Sequence, residues 1–197
     1  MPRRNRDRRP ARRTPVQERK RLILVVTEGK VTEPAYLYSF QKKIGRSAIT
    51  LDVRGIGGAP RTIVENAVAL KQELLEDPGD QVWAVFDTDD HANLANSIQM
   101  ARDNGIHVAL SNPCFELWLL LHFQDSPGMQ HRDKITAMVR QHVPGYRKSI
   151  RFDQCQAGYD EAVRRAARLY EQAELDVEPY RNPVTGVHLL TEELRGG

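Results

Sequence analysis

The sequence predicts an α/β fold in which a mostly parallel four-stranded sheet carries helices on both faces and leads into a C-terminal helical extension. Three features of the 197 residues point there. Short apolar runs of strand length alternate with stretches of helical periodicity. The first and third runs are apolar at successive positions, as strands buried on both faces are. Alternating strands and helices need crossover connections, and crossovers make neighbouring strands parallel.

The first strand is Leu22, Ile23, Leu24, Val25 and Val26, ending in Thr27, Glu28 and Gly29. A helix follows, with Thr32 placed to cap it, Pro34 in its first turn, and Tyr36, Leu37 and Phe40 as the inward stripe. The second strand, 49–53, runs into the turn residues 55–60, after which Ile63, Val64, Ala67, Leu70, Leu74 and Leu75 recur at helical spacing. Pro78 and Gly79 stop that helix. The third strand, 82–86, ends in Asp87, Thr88, Asp89 and Asp90; a polar helix over 92–104 then leads through Gly105 to the fourth, 107–110. Asn112 and Pro113 suit the cap and first position of an apolar helix over 114–123, and two or three further helices are expected, near 134–142, 158–175 and 185–195. The organisation expected is thus a basic, disordered arm over 1–20, an α/β core over 21–125 and a helical extension over 126–197 packed on that core.

Composition narrows the function. No apolar run approaches the roughly 20 residues that span a bilayer, so no membrane partner is expected. Residues 1–21 lack the apolar segment of a secretory signal. Cys114 and Cys155 belong to no metal-type cluster, which suits two free thiols in a reducing cytoplasm. The net charge of +3 hides an asymmetry: residues 1–21 hold 10 bases and 2 acids, leaving a body at −5. Arg3, Arg4, Arg8, Arg9, Arg12 and Arg13 in that arm are candidates for nucleic-acid phosphates, and a solubilising tail is the plainer alternative.

Both acidic clusters fall at the carboxyl ends of strands, where ligands of open α/β sheets bind. Asp87 and Asp89, two apart on an extended chain, face the same way and repel unless a hard cation or a proton intervenes. An all-oxygen ligand set suits Mg²⁺ or Mn²⁺ rather than zinc. The plainer reading of such aspartates is turn formation or helix capping. Glu28 precedes Gly29, which admits close approach of backbone to a phosphate; it also reads as a turn carboxylate. Glu33 either faces the same cavity or, as the residues alone favour, simply complements the helix dipole. Glu116, a lone charge among apolar neighbours in a first helical turn, reads either as a helix-dipole acid or, slightly ahead of that, as a carboxylate facing the site. His91 can position water or phosphate, or merely start a helix, and His188 reads better as packing than as a ligand. The 55–60 loop lacks the Gly-Lys-Ser/Thr ending of a phosphate-binding loop and reads as a turn.

Thr27-Glu28-Gly29 and Asp87-Thr88-Asp89 resemble the two signature motifs of the Toprim domain, found in topoisomerases, bacterial primases and overcoming-lysogenization-defect nucleases. Together with the stretch from Ser111 through Asn112, Pro113, Cys114, Phe115 and Glu116 to Trp118, with Tyr146-Arg147-Lys148, and with Asn182-Pro183 to His188, they resemble the RloB-like family, associated with restriction and phage-defence loci. The resemblance implies a Toprim-like fold and one or two divalent ions, with Glu28 as ligand or general base, Asp87 and Asp89 as ligands, and Glu33 and Asp90 as further acidic positions. Two such ions would stand about 4 Å apart. It also implies Lys148 as a charge facing the phosphate, although a solvated lysine is the plainer reading of that residue. The function expected is a divalent-metal-dependent nuclease on DNA or RNA in anti-phage defence. The alternative is a non-catalytic nucleic-acid-binding or adaptor partner of an ATPase from the same locus. Phosphatase chemistry of the haloacid dehalogenase type is disfavoured, since that family places its Asp-x-Asp on the first strand.

Overall fold

The structure, a computed structural model, describes residues 19–75, 77–88 and 93–196. The core strands are β1 (Arg21–Thr27), β2 (Ile49–Gly55), β3 (Gln81–Asp87) and β4 (His107–Asn112), separated by α1 (Thr32–Ile44), α2 (Pro60–Leu74) and α3 (Leu94–Asp103). β1 pairs in parallel with β2 on one side and with β3 on the other, and β3 pairs in parallel with β4. Among the described residues the sheet has five strands rather than the four expected. The fifth, β5 (Val184–Thr185), lies antiparallel to the end of β4, giving the order β2-β1-β3-β4-β5. Sequence periodicity places Thr185 at the start of the last helix instead. Two residues are too few to show alternation, and this strand is fixed by tertiary partners: the Ser111 and Thr185 hydroxyls are 2.9 Å apart, and the Gly186 N–H donates to the Leu110 carbonyl at 2.8 Å.

The continuous apolar runs are explained by two cores. Ile23, Val25, Trp83 and Val85 point to one face, against Tyr36, Leu37 and Phe40 of α1; Leu24, Val26, Val82, Ala84 and Phe86 point to the other, against Ile63, Val64 and Ala67 of α2 and Ile98 and Ala101 of α3. Period-two alternation sends neighbours to opposite faces, and helices cover both. α4 (Glu116–Leu121) is buried at every position. Each of its fully buried leucines contributes about 1.5–3 kcal/mol of transfer free energy. α5 (Arg132–His142), α6 (Tyr159–Leu175) and α7 (Val187–Arg195) add Ile135, Val139, Ala162, Ala166, Leu190 and Leu194 to the cluster that α1 and α4 share. Among the described residues no helix is long and apolar enough to cross a membrane.

Two local expectations are corrected. Thr32 does not cap α1 with its side chain: it is the first helical residue, and its hydroxyl donates to the Lys148 carbonyl at 2.7 Å. Asn112 and Pro113 do not open α4. The bond between them is cis, the Asn112 amide donates to the Tyr180 carbonyl at 2.6 Å, and the helix starts at Glu116.

The strand order positions the site. The chain leaves β1 for α1 on one face and β2 on one side, whereas it leaves β3 for α3 on the opposite face and β4 on the other side. The carboxyl ends of β1 and β3 therefore flank the point where connections diverge, which opens a crevice there.

Candidate active site

At that crevice the Glu28 backbone extends the β1–β3 ladder by one bond, its N–H donating to the Val85 carbonyl at 2.9 Å. The chain then turns sharply, held by the Thr27 hydroxyl donating to the Gly29 carbonyl at 2.7 Å. The Glu28 side chain crosses to the neighbouring strand, where Oε2 accepts the Asp87 N–H at 3.1 Å. Glu33, in the first turn of α1, folds back so that Oε1 accepts the Gly29 N–H at 2.9 Å. It complements the helix dipole and also lines the cavity, so its two readings are not exclusive.

Asp87 ends β3 with only 8% of its surface exposed. Oδ1 accepts the Phe115 N–H at 2.9 Å, and Oδ2 accepts from the Arg132 guanidinium at 3.0 Å. Glu116, 5% exposed at the start of α4, accepts the Tyr146 hydroxyl at 2.9 Å. Burial and the carboxylate it serves push the Tyr146 hydroxyl up, so Tyr146 remains a protonated donor.

Glu28, Glu33, Asp87 and Glu116 thus line one cavity of about 230 Å³, together with Lys30, Thr32, Phe115, Arg132 and Lys148. Its electrostatics are those of carboxylates taken out of water and set against one another. Burial, then Glu28 and Glu33, hold the Asp87 carboxyl well above its ordinary value despite the opposing pull of Arg132. Burial, then Glu116 and Glu28, raise Glu33, partly offset by backbone N–H donors.

Lys148 lines this cavity from an exposed segment and has a left-handed backbone, φ 56°, unusual for a residue with a side chain. Cys114, buried behind Glu116 and Asp87, has its thiol pushed up by burial and by those carboxylates, which disfavours it as a nucleophile. His188 is away from the cavity, edge-on to Tyr170, with Nδ1–H donating to the Thr185 carbonyl at 3.1 Å. Asp89, Asp90 and His91, and the arginines Arg3, Arg4, Arg8, Arg9, Arg12 and Arg13, lie outside the described residues.

A family model described as RloB-like protein matches residues 23–194. The chain belongs to the RloB-like family. Neither the curated proteins nor the solved structures give a match. In this RloB-like protein the match spans every element that builds the cavity, from Glu28 after β1 to Lys148 after α5.

Sequence reasoning misses Arg132 and gives Tyr146 no role. The helix carrying Arg132 is expected from periodicity to begin at Lys134, which leaves the arginine in a loop; the observed start at Arg132 puts a cation in a first turn, where acids are favoured. That misplaced charge is the signal that points to a partner.

Proposed function

We propose that this RloB-like protein is a Mg²⁺- or Mn²⁺-dependent phosphodiesterase that cleaves DNA or RNA in anti-phage defence, built on a Toprim-like core. The observation that carries the reading is the meeting of Glu28 and Asp87, 59 residues apart in sequence, at the carboxyl ends of adjacent strands, with Glu33 and Glu116 in the same cavity. The donor chemistry fits a hard divalent cation: carboxylate oxygens alone line the cavity as acidic ligands, and their mutual repulsion is relieved by positive charge. Glu28 and Asp87 are the residues to hold the ion, with Glu33 and Glu116 able to join. A cation bound there lowers the pKa of a water and polarises a phosphoryl oxygen. Lys30, Arg132 and Lys148 supply the charge that binds and orients the phosphate, and the strained backbone at Lys148 supports a positioning role for that residue. The alternative role for Glu28, where it is not a ligand, is that of general base toward an attacking water.

The test is cleavage of DNA and RNA panels with Mg²⁺ or Mn²⁺. Wild type is expected to cleave and the Glu28→Gln, Asp87→Asn double variant to be inactive; equal behaviour of the two ends the proposal. The alternative is a non-catalytic adaptor that needs no ion at Glu28 and Asp87. An adaptor of this kind predicts no Mn²⁺ binding in a calorimetric titration, which separates the two readings without any substrate.

Gly29 gives a finer test of the carboxylate cluster. A Cβ there falls 1.8 Å from Glu33 Oε2, the far end of a flexible side chain. Gly29→Ala is expected to expel the Glu33 carboxylate from its place while leaving the melting temperature within about 4 °C of wild type. Mn²⁺ affinity should fall by about tenfold; unchanged affinity removes Glu33 from the ligand set.

A further inference from the structure

A groove of about 590 Å³ runs between α1 and residues 149–153, and it begins where the carboxylate cavity ends. Thr32 and Lys148 line the cavity; Ala35 and Ser149, the next turn of the helix and the next residue of the segment, line the groove. Two hydrogen bonds lay the segment along the helix: the Thr32 hydroxyl donates to the Lys148 carbonyl at 2.7 Å, and about two turns later the Ser39 hydroxyl oxygen accepts the Phe152 N–H at 2.7 Å. Ile150 and Phe152 are buried, which leaves Ser149 and Arg151 at the surface. Three cations line the groove, Lys42 and Lys43 from the last turn of α1 and Arg151 from the facing segment, against one acid, Asp153. The helix dipole accounts for the two lysines but not for an arginine set opposite them, where like charges repel. Asp153 offsets part of that repulsion, 2.8 Å from Arg151 and 3.9 Å from Lys43. The positive excess is local, because residues 22–197 together carry −5. Tyr38 adds an aromatic surface: its hydroxyl donates to the Val53 carbonyl at 3.2 Å and accepts the Val53 N–H at 3.0 Å, which pins a residue that is 46% exposed.

We propose that a single strand of nucleic acid leaves the carboxylate cavity along this groove, with its phosphates at Lys42, Lys43 and Arg151 and one unstacked base on the Tyr38 ring. The proposal rests on the reading of the partner as nucleic acid, and it names the form in which that partner is held. A phosphodiester chain is the anion that fits, because its charges are strung in a row and can follow cations from one cavity into the next. Lys148, at the junction, continues that row into the carboxylate cavity. The aromatic surface decides between one strand and two. A ring offers a base its face, and in a duplex the faces of the bases are already stacked on their neighbours. A ring pinned at its hydroxyl also has little freedom left to lose when a base settles on it.

The experiment is fluorescence anisotropy of labelled single strands of about 12 nucleotides, oligo-dT and oligo-U, titrated with the full chain in EDTA over a series of salt concentrations. Chelation keeps the metal site out of the measurement, and the basic residues of 1–21 are common to every form, so differences between forms report the groove. Wild type is expected to bind at least one of the two strands, and which it prefers tells the sugar. The Lys42→Ala, Lys43→Ala double variant is expected to bind that strand about tenfold or more weakly, with the slope of log affinity against log salt flattened by about 1.4. Asp153→Asn is expected to bind it more tightly, a gain that misfolding cannot produce. Tyr38→Leu, with its melting temperature checked, is expected to lose about fivefold or more, and Tyr38→Phe, which keeps the ring, to retain most of the affinity. A duplex of the same length is expected to be indifferent to Tyr38→Leu. Unchanged affinity and salt slope in the lysine variant, or no gain from Asp153→Asn, overturn the groove while the metal site stands. A loss in Tyr38→Phe as large as in Tyr38→Leu, or a duplex that loses as much as the single strand, overturns the assignment of a base to the ring. If wild type binds neither strand, the nucleic-acid reading itself fails and takes this proposal with it.

Discussion

Asp87→Asn is expected to lower metal-dependent cleavage by at least about 10²–10³-fold while leaving the fold as stable as wild type or more so. The two halves of this result have one cause. Burial and three neighbouring carboxylates hold the Asp87 carboxyl well above its ordinary value, so the ionised form is penalised in the folded state. A carboxyl whose folded pKa is raised costs stability at pH values above that pKa, and the cost disappears as pH falls through it. Neutral asparagine removes the cost at every pH. Its amide oxygen can keep the Phe115 N–H bond, and Arg132 is about one third exposed to water. What asparagine cannot do is offer an anionic oxygen to a cation. Cleavage assays and thermal unfolding at pH 7.5 on the same preparation check both halves. A melting temperature more than about 4 °C below wild type would show that the carboxylate holds the fold together instead of burdening it. Glu28→Gln makes a useful companion, because its amide oxygen can still accept the Asp87 N–H and only the charge is lost.

How far the sequence exposed this site depended on the kind of signal each residue gives. Glu28 and Asp87 were legible because each follows an uninterrupted apolar run, and a run of that length fixes both the strand and its carboxyl end. Glu116 was legible for the opposite reason, as a charge with no apolar excuse for its place in a buried helix. β5 was not, since a two-residue strand carries no period and exists through the Ser111–Thr185 contact, made across 74 residues. Arg132 was hidden by a two-residue error in where α5 begins, and its importance comes from a partner 45 positions away on β3. Periodicity reports which face a residue occupies. It does not report which residue of a remote element stands opposite.

The second large effect lies behind the site, where α1 and α4 are joined. His122, at the end of α4, is 4% exposed, with Nδ1–H donating to the Trp118 carbonyl at 3.0 Å. Its Nε2 therefore accepts the Tyr36 hydroxyl of α1, at 3.1 Å, and that acceptance requires the neutral ring. Burial, with a smaller contribution from Arg165, brings the imidazole down to about 4. An unfolded histidine takes its proton near pH 6.5. Between those values the unfolded chain binds a proton that the folded one refuses, so stability is lost as pH falls through 6.5, by about 2 kcal/mol between pH 7 and pH 5. Asp87 and Glu33, with raised folded values, work in the opposite sense. They are common to wild type and His122→Gln, so the difference between the two proteins isolates the histidine. His122→Gln is expected to be the less stable protein at pH 7, by about 1–3 kcal/mol for the buried donors and acceptors it leaves poorly met. The gap should then close toward pH 5, as read from urea unfolding at each pH. Parallel curves would mean that His122 is protonated in the folded state. Because α1 carries Glu33 and α4 carries Glu116, weakening this joint in acid also loosens two walls of the carboxylate cavity, and metal affinity should decline over the same range.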